Sequence, residues 1–194
     1  MGKIIVSENV TLDGVVQDPL GEEGLGRSAW FATMTAADQA AWAEVEIAEA
    51  LEAEALLLGR KTDEWFAARW LGREGIWADR LNAMPKYIVS TSLDEPRWSD
   101  GTGFKGTILR GDVVKEVTKL KRDLAGDLVV YSSAALVRTL LEHDLVDEVR
   151  LTVHPFVLGD GERLFGATTA DKPLRLVSAR TLGDGIAYLV YRTA

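Results

Sequence analysis

Short runs of apolar, often β-branched residues alternate along this chain with longer stretches whose apolar residues recur every three or four positions. That alternation constrains the fold more than any other feature, because strands separated by helical crossovers pair in parallel. The first run, Lys3 to Asn9, reads as a buried strand. Ala55 to Gly59, Lys86 to Val89, Thr107 to Leu109, Leu128 to Tyr131 and Val146 to Val153 read the same way. Leu174 to Leu182 and Ile186 to Arg192 complete the set, joined by Gly183-Asp184-Gly185, a hairpin signal that adds an antiparallel edge.

Between these runs lie the helical patterns. Thr35-Ala36-Ala37-Asp38 has the form of a capping box, with Asp in place of Glu. Behind it Trp42, Val45, Ala48 and Leu51 recur at helical spacing, which leaves Glu44, Glu46, Glu49 and Glu52 mostly on other, solvated faces. A short helical stretch runs from Arg60 through Ala68, followed by a Trp- and Arg-rich connection to Met84-Pro85. Val113, Val117, Leu120 and Leu124 share one helix face, as do Leu136, Val137, Leu140 and Leu141. Leu12 to Thr33 is Gly-rich, acidic and without periodicity, and a loop this long is usually functional or disordered.

With 194 residues and no repeat or linker, the expectation is one α/β domain over residues 1–194. The net charge of -8 disfavours nucleic acid as a partner. The absence of cysteine excludes disulfides, thiolate metal sites and a Cys nucleophile. No apolar run approaches the ~20 residues that span a bilayer, and Met1-Gly2-Lys3 leads into no signal-peptide core. A cytoplasmic protein without membrane contact is therefore expected.

In open α/β sheets, ligands bind beyond the carboxyl ends of the strands, where helix N-termini present free N–H groups. Gly59-Arg60-Lys61-Thr62 is one such junction, and it also suits an ordinary strand-to-helix turn with surface cations. Ser132-Ser133-Ala134-Ala135 is another, equally readable as a Ser N-cap. Ser90-Thr91-Ser92 places three hydroxyls at a strand end. Gly101-Thr102-Gly103-Phe104-Lys105-Gly106 matches G-x-G-x-x-G but follows a loop and precedes a strand, the reverse of the dinucleotide context. His143 suits a helix C-terminus, His154 reads as structural, and neither sits in a metal-ligand pattern, so no metal is expected.

Taken in order, the motifs resemble a known family. Thr11-Leu12-Asp13-Gly14 is similar to its S-L-D-G signature, and Leu58-Gly59-Arg60-Lys61-Thr62 to its G-R-x-T loop. Lys86 to Ser90 matches its third strand, and Val130 to Val137 its V-x-G-S-x-x-L-V segment. Pro155 to Phe165 matches P-x-x-x-G-x-G-x-x-L-F. The chain resembles the riboflavin-biosynthesis reductase domain (the C-terminal domain of RibD) and its stand-alone dihydrofolate-reductase-like relatives.

The resemblance implies a three-layer dihydrofolate-reductase-like fold with a mixed, mostly parallel eight-stranded sheet, a homodimer, and NADPH as hydride donor. It further implies that Gly59, Arg60, Lys61 and Thr62 hold cofactor phosphates, and that Ser90, Thr91 and Ser92 lie near the 2'-phosphate. Ser132, Ser133, Ala134, Ala135 and Leu136 would cradle the pyrophosphate and nicotinamide side. Asp13 would orient a small heterocyclic substrate, pterin- or pyrimidine-like, or relay a proton. Gly14, Trp30, Phe31, Gly159 and Gly161 would border that substrate. Two departures stand out: Ser132 occupies a usual Gly position, and because the first strand begins at Lys3, no deaminase domain is expected before it. The competing expectations are a non-catalytic nucleotide- or pterin-binding protein and a generic α/β scaffold for protein partners.

Overall fold

The computed structural model describes residues 2–26, 29–98 and 106–193. Its eight strands are β1 (Ile4–Thr11), β2 (Ala55–Gly59), β3 (Lys86–Val89), β4 (Thr107–Leu109), β5 (Leu128–Tyr131), β6 (Glu148–His154), β7 (Leu174–Leu182) and β8 (Ile186–Thr193). They form one sheet in the order β4-β3-β2-β5-β1-β6-β8-β7. Every pairing from β4 to β6 is parallel, and only β6–β8 and β8–β7 are antiparallel. This is the mixed, mostly parallel sheet with an antiparallel terminal hairpin that the sequence led us to expect.

Five helices flank it: α1 (Ala36–Glu52), α2 (Arg60–Trp70), α3 (Ile76–Ala83), α4 (Val113–Asp123) and α5 (Ala134–Glu142). Successive strand residues point to opposite faces, and the core divides accordingly. Ile4, Val6, Leu57 and Val130 pack with Val117, Val137 and Leu140 of α4 and α5. Ile5, Leu56, Leu58 and Val129 pack on the other face with Ala50, Phe66 and Leu81 of α1, α2 and α3. Burying both faces explains why these strands are continuous apolar runs.

Several boundaries move. β1 extends to Thr11 and β6 runs from Glu148 to His154, one or two residues from the expected ends. The long loop closes on a short 3-10 turn, Trp30–Thr33. The Trp- and Arg-rich connection contains α3, whose eight residues are too few to show a clear period. The G-x-G-x-x-G look-alike falls largely outside the described residues, and Gly106 immediately precedes β4.

The larger correction concerns α1. Leu51 is 57 % exposed, while Glu46 and Glu49 are buried against the sheet. Glu44 and Glu52 are exposed as expected, but Glu46 and Glu49 are not part of a solvated face. The sheet makes this possible by offering polar groups there: Glu49 accepts from Ser7 Oγ at 2.6 Å and Tyr188 Oη at 2.7 Å, and pairs with Arg150 at 3.2 Å.

The capping box at Thr35 and Asp38 forms as expected. Asp38 also accepts from the Asp184 and Gly185 amides of the hairpin, at 2.7 and 3.3 Å. Gly183 is the third residue of that junction. Its φ is +56, and a Cβ there would fall 2.4 Å from the Asp38 backbone nitrogen. Gly14 also has positive φ but nothing within 4 Å of its Cβ position. Gly183→Ala should therefore cost more than Gly14→Ala, which carries only the left-handed penalty of about 1–2 kcal/mol. Urea unfolding of the two variants measures this; equal losses would contradict the close approach.

Candidate functional site

Two helix N-termini meet at the carboxyl end of the sheet. Gly59 leads directly from β2 into α2, and Ser132 and Ser133 link β5 to α5. Gly59 N–H donates to Ser133 Oγ at 3.0 Å, Ser133 Oγ donates to Thr62 Oγ1 at 2.9 Å, and Thr62 Oγ1 donates to the Ser132 carbonyl at 2.6 Å. Between the two turns lies a cleft of about 420 Å³, lined by Gly59 to Thr62, Val89, Ser132 to Leu136 and Glu162 among others. The first-turn N–H groups of a helix lack intrahelical acceptors, and both dipoles here present their positive ends. The arrangement fits a diphosphate.

The positive φ of Ser132, 47°, explains why a glycine suits this position. The serine adopts the same left-handed conformation, so its side chain does not block the turn. Arg60 is engaged by Glu64 at 2.9 Å, and Lys61 contributes positive charge to the cleft. Glu162 lines it as well, with its carboxylate paired to Arg138 at 2.5 Å. Ser90, Thr91 and Ser92 follow Val89 but do not line the cleft itself; Ser90 Oγ accepts from the Ser92 and Leu93 amides at 3.2 and 3.0 Å.

A second pocket of about 320 Å³ adjoins the first, its walls largely aromatic. Trp30 and Phe31 line it, as does Trp42 from α1 and Trp65, Phe66 and Trp70 from α2. Phe31 stacks on His154 at 5.0 Å, and Trp30 meets the same imidazole edge-on at 4.9 Å. His154 Nε2 faces Asn9 Oδ1 at 3.2 Å, and burial pushes its pKa down to about 4, so the ring is neutral. Arg69 and Arg73 lie at the outer end, over the Trp65 and Trp70 rings at 4.4 and 4.9 Å.

Two carboxyl groups lie in this aromatic setting. Glu8, on β1, is 4 % exposed, and Glu46, on α1, 6 %. Desolvation pushes the Glu8 pKa up to about 8, opposed by the Ser132 and Ser133 amides. Burial and the neighbouring Glu49 charge push Glu46 up as well. Both are therefore largely protonated at neutral pH. Tyr131, also lining the pocket, has a buried hydroxyl without a hydrogen-bond partner.

Asp13 has a different place. Its carboxylate accepts from Thr11 Oγ1 at 2.6 Å and from the Leu158 and Gly159 amides at 3.1 and 2.9 Å. These bonds hold its pKa down at about 2, so it is ionised and a poor proton source. Arg163 donates to the Asp13 carbonyl at 2.9 Å, and Leu164 N–H to Gly14 O at 3.0 Å. Asp13 and Gly14 thus clamp the loop carrying Gly159 and Gly161, and none of the four lines the aromatic pocket.

Glu8, Glu46 and the α2 tryptophans were missed at the level of sequence. A polar Ser7-Glu8-Asn9 stretch between the apolar Ile4-Ile5-Val6 and Val10 of one buried strand was the available signal. Glu46 sits one turn beyond Trp42.

The chain matches the RibD C-terminal domain family over residues 2–188. It is 32 % identical over 111 residues to the uncharacterized protein YyaP of Bacillus subtilis (strain 168), spanning 57 % of this chain and 56 % of that protein, about half its length. Among solved structures, a pyrimidine reductase-like protein from Corynebacterium diphtheriae aligns at TM-score 0.67 with 14 % identity, covering 100 % of this chain and 92 % of that one. Dihydrofolate reductase from Enterococcus faecalis, complexed with NADP(H) and RAB-propyl, aligns at TM-score 0.62 with 12 % identity over 99 % and 96 % of the two chains. The shared architecture is dihydrofolate-reductase-like, and the chain belongs to the RibD C-terminal domain family.

Proposed function

We propose that this protein is an NADPH-dependent reductase acting on a small planar heterocycle, pterin- or pyrimidine-like. The observation that carries this reading is the meeting of two unlike cavities. One offers two helix N-termini suited to a diphosphate, and the other is aromatic with buried carboxyl groups. Val16, Pro19, Trp65 and Ser132 are common to the aromatic pocket and the adjoining part of the cleft.

When bound, NADPH supplies the hydride. The protein's own residues hold and orient the reactants. The Gly59 to Thr62 and Ser132 to Leu136 turns hold the phosphates, with Ser90, Thr91 and Ser92 beside the 2'-phosphate. Trp30, Phe31 and Trp65 exclude water and stack on the ring. Glu46, flanked by Asn9 and Trp42, receives the N–H edge of the heterocycle. The loop carrying Gly159 and Gly161, held by Asp13 and Gly14, sets the position of Glu162 at the cleft. We further propose that the chain acts as a homodimer in the cytoplasm; β7, at the sheet edge with Leu176 and Val177 exposed, is the surface available for pairing.

Tryptophan fluorescence titration should show NADPH binding more tightly than NADH, followed by NADPH oxidation in a panel of dihydropterins and aminopyrimidines. Binding without oxidation of any acceptor would leave a nucleotide-binding protein without turnover; no nucleotide binding would overturn the reductase reading. For Glu46→Gln, the expected result is a KM for the heterocycle raised about tenfold with NADPH affinity unchanged. An unaltered KM would remove Glu46 from the substrate site.

A further inference from the structure

We propose that Glu8 is the general acid of this site, delivering its carboxyl proton to the substrate atom beside the carbon that accepts hydride. The proposal rests on the reductase reading above and adds the proton donor.

Ser7 on β1 stands opposite Tyr131 on β5, which places Glu8 beside Ser132, a residue that lines both the phosphate cleft and the aromatic pocket. Any transfer between the cavities has to occur at this seam. Glu8 Oε1 accepts from the Ser133 amide at 3.3 Å, which fixes the carboxyl at the seam. The Ser132 amide also acts on the carboxyl, and Glu8 lines the aromatic pocket. Of the two carboxyl groups lining that pocket, Glu8 alone is tied to the seam turn.

The other titratable groups serve less well. Asp13 is ionised and occupied by the loop. The Tyr131 hydroxyl is pushed well above its usual pKa by burial, so it holds its proton too tightly. His154 is neutral, and the proton on its Nε2 is directed at Asn9. Around Glu8 in the same pocket stand Glu46 of α1, Arg69 and Arg73 of α2 and Tyr131 of β5, and Glu162 of the loop after β6 acts on it electrostatically. Glu162 adds to the upward push on Glu8, and the Ser132 and Ser133 amides oppose it.

The step balances simply. As a C=N or C=O carbon receives the hydride, its π pair moves to the heteroatom, the O–H bond of Glu8 breaks and an N–H or O–H bond forms. Glu8 is left as carboxylate and regains its proton from solvent. A pKa of about 8 keeps most of the acid form ready at neutral pH.

Glu8→Gln tests this, because the amide oxygen still accepts from Ser133 while the acidic proton is gone. The expected loss in kcat is about 100-fold or more, with KM for NADPH and acceptor little changed. In the wild type, kcat/KM should fall as pH rises through about 8, and the variant should lose that limb. Carboxyl ¹³C NMR of the glutamate-labelled, ligand-free protein should show two high-titrating resonances, one lost in Glu8→Gln and the other in Glu46→Gln. This readout needs no turnover, and Glu8→Asp, if the Gln variant is unstable, should recover part of the rate. Turnover and pH limb unchanged in Glu8→Gln would overturn the role of Glu8 alone. A wild type that neither binds nor oxidises NADPH would overturn the reductase reading, and this proposal with it.

Discussion

A carboxylate buried between a helix and a sheet is costly unless its lone pairs are filled, and the position of α1 depends on how Glu49 meets that demand. Its oxygens take the hydroxyls of Ser7 on β1 and Tyr188 on β8 and the guanidinium of Arg150 on β6. Arg150 is shared with Glu148 at 2.8 Å, and Glu148 also reaches Arg192 at 3.3 Å. The network crosses three neighbouring strands and fixes the rotation of α1. That rotation carries Glu46, less than one turn earlier, into the aromatic pocket.

Much of the architecture was legible because buried strands leave continuous apolar runs, and Leu56-Leu57-Leu58 or Leu128-Val129-Val130 have no competing reading. The capping box at Thr35 and Asp38 and the hairpin at Gly183 were legible for the same reason: each carries a local signature. The buried face of α1 was not, because apolar periodicity assumes that a helix meets the sheet with its apolar side. Here the sheet offers Ser7, Arg150 and Tyr188, and the acidic side turns inward. The short α3 left no period to detect. In the candidate site, the phosphate-cleft turns and the Trp30–Phe31 pair were visible as motifs and aromatics. The two carboxyl groups were hidden, one inside an apolar strand and one among glutamates that looked solvated.

The T-L-D-G and P-F-V-L-G-D-G-E-R-L-F segments lie about 145 residues apart in the chain, as the Asp13–Leu158 bond shows, yet they form one structure. A short antiparallel bridge joins Val15 to Arg163, and Gly161 lies where a Cβ would meet Val15 Cγ1 at 2.9 Å. The paired glycines and the Asp13 carboxylate serve a loop-to-loop joint.

Ser132 lines both the phosphate cleft and the aromatic pocket, in a left-handed conformation at the mouth of α5. Occupants of the two cavities therefore share a wall one residue thick. Whatever shift one occupant imposes on that turn is felt by the other, and thermodynamic linkage makes the influence mutual. Exchanging the side chain at this turn would therefore alter how strongly each occupant favours the other, and by the same factor in both directions.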